Sequence, residues 1–314
     1  MMAIKTVALI GLGAMGAFFA PKLKELLGDD HFYVIADGER KNRLENKGVT
    51  LNGVNYRFHI EPPGTNLPVD LVIVAVKDMQ LEQAIADIHS FVGPHTQIMC
   101  VMNGVDSEER LAKVYGSEHV LYSYMRMSIV MADGVANFNP EGGMVHFGEA
   151  NNAQLSARVS AIKELFEQAG IRYQIEEDMI KGIWFKFMCN VSENLTCALL
   201  GIPFGAFRLS DHANAIRLGA MNEVMKIANA KGIDLSQSDI ERQETTVRRI
   251  PFANKPSTLQ DLERSMLTEI DMFAGKVVAL GEQLNIDTPI SWMFYHAIKV
   301  LEEKNQQLFL APEQ

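Results

Sequence analysis

In the segment "DMIKGIWFKFMCNVSEN", residues 178–194, a lysine and two asparagines stand four residues apart: Lys186, Asn190 and Asn194. On a helix those positions lie above one another on one face, which lines up an amine and two amides. Trp184, Phe187, Val191 and Leu195 can bury much of the remainder. Reducing a carbonyl requires a proton at its oxygen, and a lysine partly shielded from water has a pKa low enough to give one. Lys186 is the candidate donor. The same face also reads as an ordinary solvated polar strip, and this segment alone favours that reading.

A second segment, "NKPSTLQDLERSMLTEIDMF", residues 254–273, shifts the balance. Ser257 followed three residues later by Gln260 is a capping-box signature, and Leu259, Leu262, Met266, Ile270, Phe273 and Val277 continue the apolar stripe of one long helix. Glu269 flanks that stripe. Structurally, Ser257 is an N-cap and Glu269 a surface charge. Chemically, a hydroxyl at a helix N-terminus seats a carboxylate, and a shielded glutamate can hold a hydroxyl or balance Lys186.

These groups need a redox partner, and the N-terminus supplies a place for one. An apolar run, "VALI", leads directly into "GLGAMG", residues 11–16, with a helical pattern beyond. Gly11 permits a tight turn, Gly13 lets the backbone approach a pyrophosphate, and Gly16 lets helix and strand pack closely. With Leu12, Ala14 and Met15 they form a dinucleotide loop whose helix N-terminus faces the phosphates. In "FYVIADGERKNR", residues 32–43, Asp37 closes a second strand where a carboxylate binds an unmodified ribose. That tips the expectation slightly to NADH. Arg40, Lys41 and Arg43 pull towards the 2′-phosphate of NADPH.

The positioning elements follow from the texture of the chain. Strand candidates at 6–10, 32–36, 71–76 and 97–102 alternate with helical segments, the pattern of a parallel sheet covered by helices. Residues 120–148 carry Asp-Gly and Pro-Glu-Gly-Gly turn signals and read as antiparallel strands closing this domain. Helical periodicity dominates from about residue 154, and no convincing strand follows 178. The fold class is α/β followed by all-α, with domains at 1–174 and 175–314.

Composition removes several function classes. The 314 residues suffice for two full domains, and a formal net charge of −10 opposes a nucleic-acid partner. The N-terminal apolar stretch superficially resembles a signal peptide, but its glycine spacing explains it better, and no uninterrupted apolar run nears membrane-spanning length. Cys100, Cys189 and Cys197 lack metal-ligand spacing, and an odd count does not suit a disulfide framework. A reducing, cytoplasmic setting and no metal are expected.

"GLGAMG", "AVKDMQLEQAI", "VMNGVDSEERL", "IWFKFMCNVSEN", "NKPSTLQDLERSMLTEID" and "LNIDTPI" resemble, in order and approximate spacing, the ketopantoate reductase (2-dehydropantoate 2-reductase) family over nearly the whole chain. The resemblance implies a Rossmann domain and an all-helical domain like the C-terminal domain of 6-phosphogluconate dehydrogenase, with a substrate cleft between them. It implies Lys186 as general acid, Asn190, Asn194 and Ser257 as ligands of a 2-oxo acid, and Glu269 as a group positioning cofactor or substrate. Asn103 would sit near nicotinamide and substrate, and Lys77 would face the cofactor. Unaided, Asn103 reads equally as an Asn-Gly turn and Lys77 as a strand-end lysine. A homodimer is an assembly the resemblance admits.

Two positions depart from the family pattern. "GIPFGAF" has Phe204 where an asparagine often precedes the glycine, and Asp37 stands where NADPH-using members usually have arginine. The expected function is reduction of 2-dehydropantoate to (R)-pantoate in pantothenate biosynthesis. Phe204 sustains an alternative, a dehydrogenase forming other branched or aromatic (R)-2-hydroxy acids. A dinucleotide-binding regulator without catalysis is the third reading, disfavoured because the lysine, both asparagines, the serine and the glutamate occur together.

Overall fold

Val7–Ile10 is buried along its whole length, as a strand covered on both faces must be. This strand, β1, lies at the centre of an eight-stranded sheet in a computed structural model that describes residues 3–127, 131–132, 134–139 and 141–309. The chain divides into two units, Met1–Ile180 and Lys181–Gln314.

In the first unit β1 leads to α1 (Ala14–Leu27), β2 (Phe32–Ile35), α2 (Gly38–Lys47), β3 (Val49–Leu51), β4 (Val54–Tyr56) and β5 (His59–Glu61). Next come β6 (Leu71–Val74), α3 (Leu81–Asp87), β7 (Gln97–Cys100), α4 (Ser107–Tyr115) and β8 (Val120–Arg126). The unit ends with β9 (Met131–Ala132), β10 (Val135–Ala136), β11 (Met144–Gly148), α5 (Ala157–Gln168) and β12 (Tyr173–Gln174). The main sheet runs β12-β11-β8-β7-β6-β1-β2-β5 and is parallel except where β11 pairs with β8. From β1 the chain moves outward through β2 and then crosses to β6 on the opposite side. The strand order therefore reverses beside the glycine loop, where open α/β sheets bind ligands.

Alternation along β1 divides the core. Val7 and Leu9 pack with Phe18, Phe19 and Phe166, whereas Ala8 and Ile10 pack with Leu81, Ile85 and Leu111. This is the expected Rossmann-type α/β architecture. The 120–148 region differs from expectation in one respect: β8 and β11 join the main sheet, but β9 and β10 form a second sheet in the order β4-β3-β10-β9. Residues 128–130, Asp133 of the Asp-Gly signal and Pro140 lie outside the described residues. The division between units falls at 180, past the expected 174. Pairing of β12 with β11 and a bridge from Asn151 to Asp178 hold the intervening segment to the sheet.

The second unit is helical among its described residues. After α6 (Met179–Cys189) the helix widens into a π-turn, Asn190–Asn194, and resumes as α7 (Leu195–Leu200). It continues through α8 (Asp211–Ala230), α9 (Gln237–Val247), α10 (Ser257–Glu263), a second π-turn at Asp271–Gly275, α11 (Lys276–Leu284) and α12 (Pro289–Asn305).

The single long helix expected after Ser257 is two helices. α10 stops at Glu263, and Ser265 takes a left-handed φ of 56°. The buried Glu302 carboxylate on α12 then accepts from the backbone N–H and hydroxyl of Thr268, at 2.7 and 2.6 Å. That anchor redirects the chain before the apolar stripe resumes. No helix among the described residues is long and apolar enough to cross a membrane. All three cysteines are free and buried.

Candidate active site

Each glycine of residues 11–16 answers a different steric demand. A Cβ on Gly11, whose φ is 94°, would fall 2.5 Å from the Ala75 carbonyl oxygen, and one on Gly16 would fall 2.2 Å from that of Gly11. A Cβ on Gly13 would meet nothing within 4 Å. The first and third therefore close the strand–helix packing, and the second leaves the backbone open to an incoming group. Leu12 is buried, while Gly13, Ala14 and Met15 are half-buried. Gly13 is the N-cap of α1 and gives it no side-chain cap, so the first N–H groups of the helix are not capped from within. This loop fits a pyrophosphate.

Asp37 is exposed at the N-cap of α2, and its carboxylate makes no capping bond. Gly38 follows at φ 49°, in the left-handed region that favours glycine. Arg40 is half-buried one turn later, and burial together with the neighbouring Arg43 lowers its pKa. Lys77, half-buried, is the N-cap of a short 3-10 turn beyond β6. Asn103, also half-buried, follows β7 and precedes Gly104 at φ 108°.

Behind that turn lies a carboxyl that the sequence did not single out. Glu108, in the first turn of α4, is buried, accepts from the Ser107 hydroxyl at 2.9 Å, and has its pKa raised to about 7, chiefly by desolvation.

In the second unit Lys186, Asn190 and Asn194 are half-buried, whereas 183–185, 187–189 and 191–193 are buried. The expected strip therefore exists as a polar line on an otherwise enclosed helix. Asn194 Nδ2 approaches Asn190 Oδ1 at 3.5 Å, so the two amides are side by side across the π-turn. Hydroxyls occupy carbonyls around the widened turn: Ser192 Oγ donates to Met188 O and Thr196 Oγ1 to Ser192 O, each at 2.7 Å. Trp184 packs on Phe187, with ring centroids 5.8 Å apart.

The capping box expected at Ser257 does not form. Pro256 is the N-cap, its carbonyl accepting from Gln260 N at 3.1 Å, and the Gln260 side chain donates instead to Lys255 O at 2.7 Å. A capping box needs an N–H on the cap residue, which proline lacks. Ser257 is thus the exposed first helical residue. Glu269, half-buried, lies outside any helix, two residues before the second π-turn.

Phe204 opens a 3-10 helix, Phe204–Arg208, and is partly buried against Cys197, Phe207, Ala213 and Val247. Its N–H donates to Asn254 O at 2.9 Å, and that of Gly205 to Phe252 O at 3.0 Å. A Cβ on Gly205 would lie 2.2 Å from the Phe252 ring. The Phe204 loop is therefore fastened to the strand of chain that enters the Ser257 helix, and Phe252 stays about half exposed.

Two family profiles match this chain, one described as "Ketopantoate reductase PanE/ApbA" over residues 7–152 and one as its "C terminal" part over 178–302. The chain belongs to the ketopantoate reductase family. A 2-dehydropantoate 2-reductase of Streptococcus pyogenes is 27% identical over 308 residues, covering 94% of this chain and 97% of that one. One from Pyrococcus horikoshii is 24% identical over 305 residues, with the same coverage. The solved structure of D-mandelate dehydrogenase with NADH and anilino(oxo)acetate superposes with a TM-score of 0.84 at 22% identity, covering 96% and 99% of the two chains. That likeness establishes the shared fold.

Proposed function

We propose that this chain reduces 2-dehydropantoate to (R)-pantoate. The observation that carries the reading is the line Lys186–Asn190–Asn194, half-buried on a helix whose other faces are enclosed, in a chain of the ketopantoate reductase family. When bound at the glycine loop, a reduced nicotinamide supplies the hydride for C2. Lys186 holds the proton that the nascent alkoxide takes, in a setting partly shielded from water. Asn190 and Asn194 donate their amide N–H groups to the 2-oxo acid, and the exposed hydroxyl of Ser257 binds its carboxylate. Glu269 orients substrate or cofactor, as do Asn103 and Lys77.

NADH is the preferred donor in this reading. An uncapped, exposed Asp37 carboxylate leaves its oxygens available to ribose hydroxyls and repels a 2′-phosphate. The opposing observation is Arg40 beside Arg43, two guanidinium groups that form no ion pair among the described residues. The setting is cytoplasmic, in keeping with three free buried cysteines. The assembly is a homodimer, which sedimentation of the purified chain would test.

Phe204 and the half-exposed Phe252 favour a second reading, a reductase of branched or aromatic 2-oxo acids. Purified protein assayed at the nicotinamide absorbance with 2-dehydropantoate, 2-oxoisovalerate and phenylglyoxylate separates the two. Highest kcat/KM on 2-dehydropantoate supports the first reading. Highest kcat/KM on either other acid supports the second, and no turnover of any would return the chain to a non-catalytic dinucleotide-binding role.

A further inference from the structure

Glu193 sits between the two asparagines in sequence but is directed into the protein. Its side chain is 5% exposed. Gln243 Nε2 on α9 donates to both carboxylate oxygens at 2.9 Å, and Arg217 Nη1 on α8 approaches at 3.2 Å. Arg217 is fully buried. Its other terminal nitrogen donates to Asn214 Oδ1 at 3.0 Å and pairs with Glu244, and its guanidinium lies 5.0 Å from the centre of the Phe207 ring.

Stability alone is a weak reason for this arrangement. Desolvating two charges offsets most of their attraction, and apolar residues of similar volume serve a core as well or better. What the pair adds is direction. A π-turn is rare and is often found at functional sites, and besides the hydroxyl bonds within its own helix this one is gripped at Glu193 from two other helices. Neighbouring residues on such a turn are fixed relative to each other by the backbone. Where the Glu193 carboxylate is held, the aims of Asn190 and Asn194 follow.

We propose that the Glu193–Arg217 pair is a positioning device for the 2-oxo acid site: it sets the rotation of the π-turn that presents Asn190 and Asn194. Through Phe207 the same guanidinium ties that rotation to the loop that begins at Phe204. This inference rests on the reductase reading. It makes Glu193 and Arg217 positioning residues, acting through Asn190 and Asn194, since both side chains are buried in the protein.

The test compares the wild-type chain with a Glu193→Leu/Arg217→Met double variant, which removes both charges together, and with Glu193→Gln, which retains partners for Gln243. Amide hydrogen exchange across 188–196 and steady-state kinetics are read on each. In the double variant, exchange across the turn and KM for the 2-oxo acid should both rise at least about tenfold, while KM for the nicotinamide stays within about twofold. Glu193→Gln should fall between it and wild type. The inference is overturned if the double variant folds and either the exchange or the 2-oxo acid KM stays within about twofold of wild type. Should the double variant not fold, the same criterion applied to Glu193→Gln decides. Absence of 2-oxo acid turnover in the wild type would instead overturn the reductase reading itself.

Discussion

The rings of Phe187 and Phe273 meet with centroids 6.3 Å apart, joining the helix of Lys186 to the π-turn that follows Glu269. Both rings are buried, at 1% exposure. Phe187→Ala should therefore cost about 3–5 kcal/mol, as core phenylalanine truncations do. The check is a urea titration, where the midpoint should fall with little change in slope. A loss below about 1 kcal/mol would show that the surroundings of Phe187 collapse to fill the space its ring leaves.

Lys186→Ala should lower kcat by about 10²-fold or more, the usual size of a lost general acid. KM should change less. Wild-type turnover at saturating substrate in a folded Lys186→Ala protein, judged by circular dichroism, would remove Lys186 from the proton-transfer step.

Ser257→Ala is expected to raise KM for the 2-oxo acid and to leave stability within about 0.5 kcal/mol, the range for exposed sites. Pro256 rather than Ser257 caps α10, so no cap is lost. A thermal melt and a substrate titration on one preparation suffice. A stability loss near that of a lost cap, about 1 kcal/mol, with unchanged KM would assign Ser257 to structure alone.

Asp37→Arg should move the ratio of kcat/KM values towards NADPH by at least tenfold, worth about 1.4 kcal/mol. The measurement is kcat/KM for each reduced nicotinamide in wild type, Asp37→Arg and Arg40→Ala. If wild type already prefers NADPH, and only Arg40→Ala abolishes that preference, the half-buried arginine decides and Asp37 does not.

Glu108 gives the fold a pH dependence of defined sign. It titrates near 7 when folded against an ordinary 4.5, so between those values the folded chain binds more protons than the unfolded one. Stability from this group is full below about 4.5 and is lost as pH rises to about 7, on the order of 3 kcal/mol. Glu108→Gln should thus be more stable than wild type at pH 8, with the gain vanishing by pH 4.5. Equal denaturation midpoints at both pH values would mean that the carboxyl is not held protonated.

What could be read from the sequence was what short-range geometry determines. Gly11, Gly13 and Gly16 are legible because their requirements arise within one strand–turn–helix, and the common face of Lys186, Asn190 and Asn194 was legible from their spacing, although the π-turn between the asparagines was not. One misreading had a distant cause and the other a local one. The stripe after Ser257 continues across a break set by Glu302, far along the chain, and the capping signature was defeated by a proline that takes the cap position but has no N–H. Glu193 and Arg217 gave no signal, since a lone glutamate beside an asparagine acquires its meaning only from two other helices.

The burial of all three cysteines makes the natural chain nearly blind to thiol-directed reagents. Desolvation pushes the Cys100 and Cys197 thiols up to about 12, leaving almost no thiolate at neutral pH, and Cys189 is enclosed as well. A cysteine introduced at an exposed position, such as Met79 in one unit or Leu209 in the other, would be the fast-reacting thiol in an otherwise silent background. A fluorophore on each would then report the distance between the units through a turnover cycle, with no native residue needing removal first.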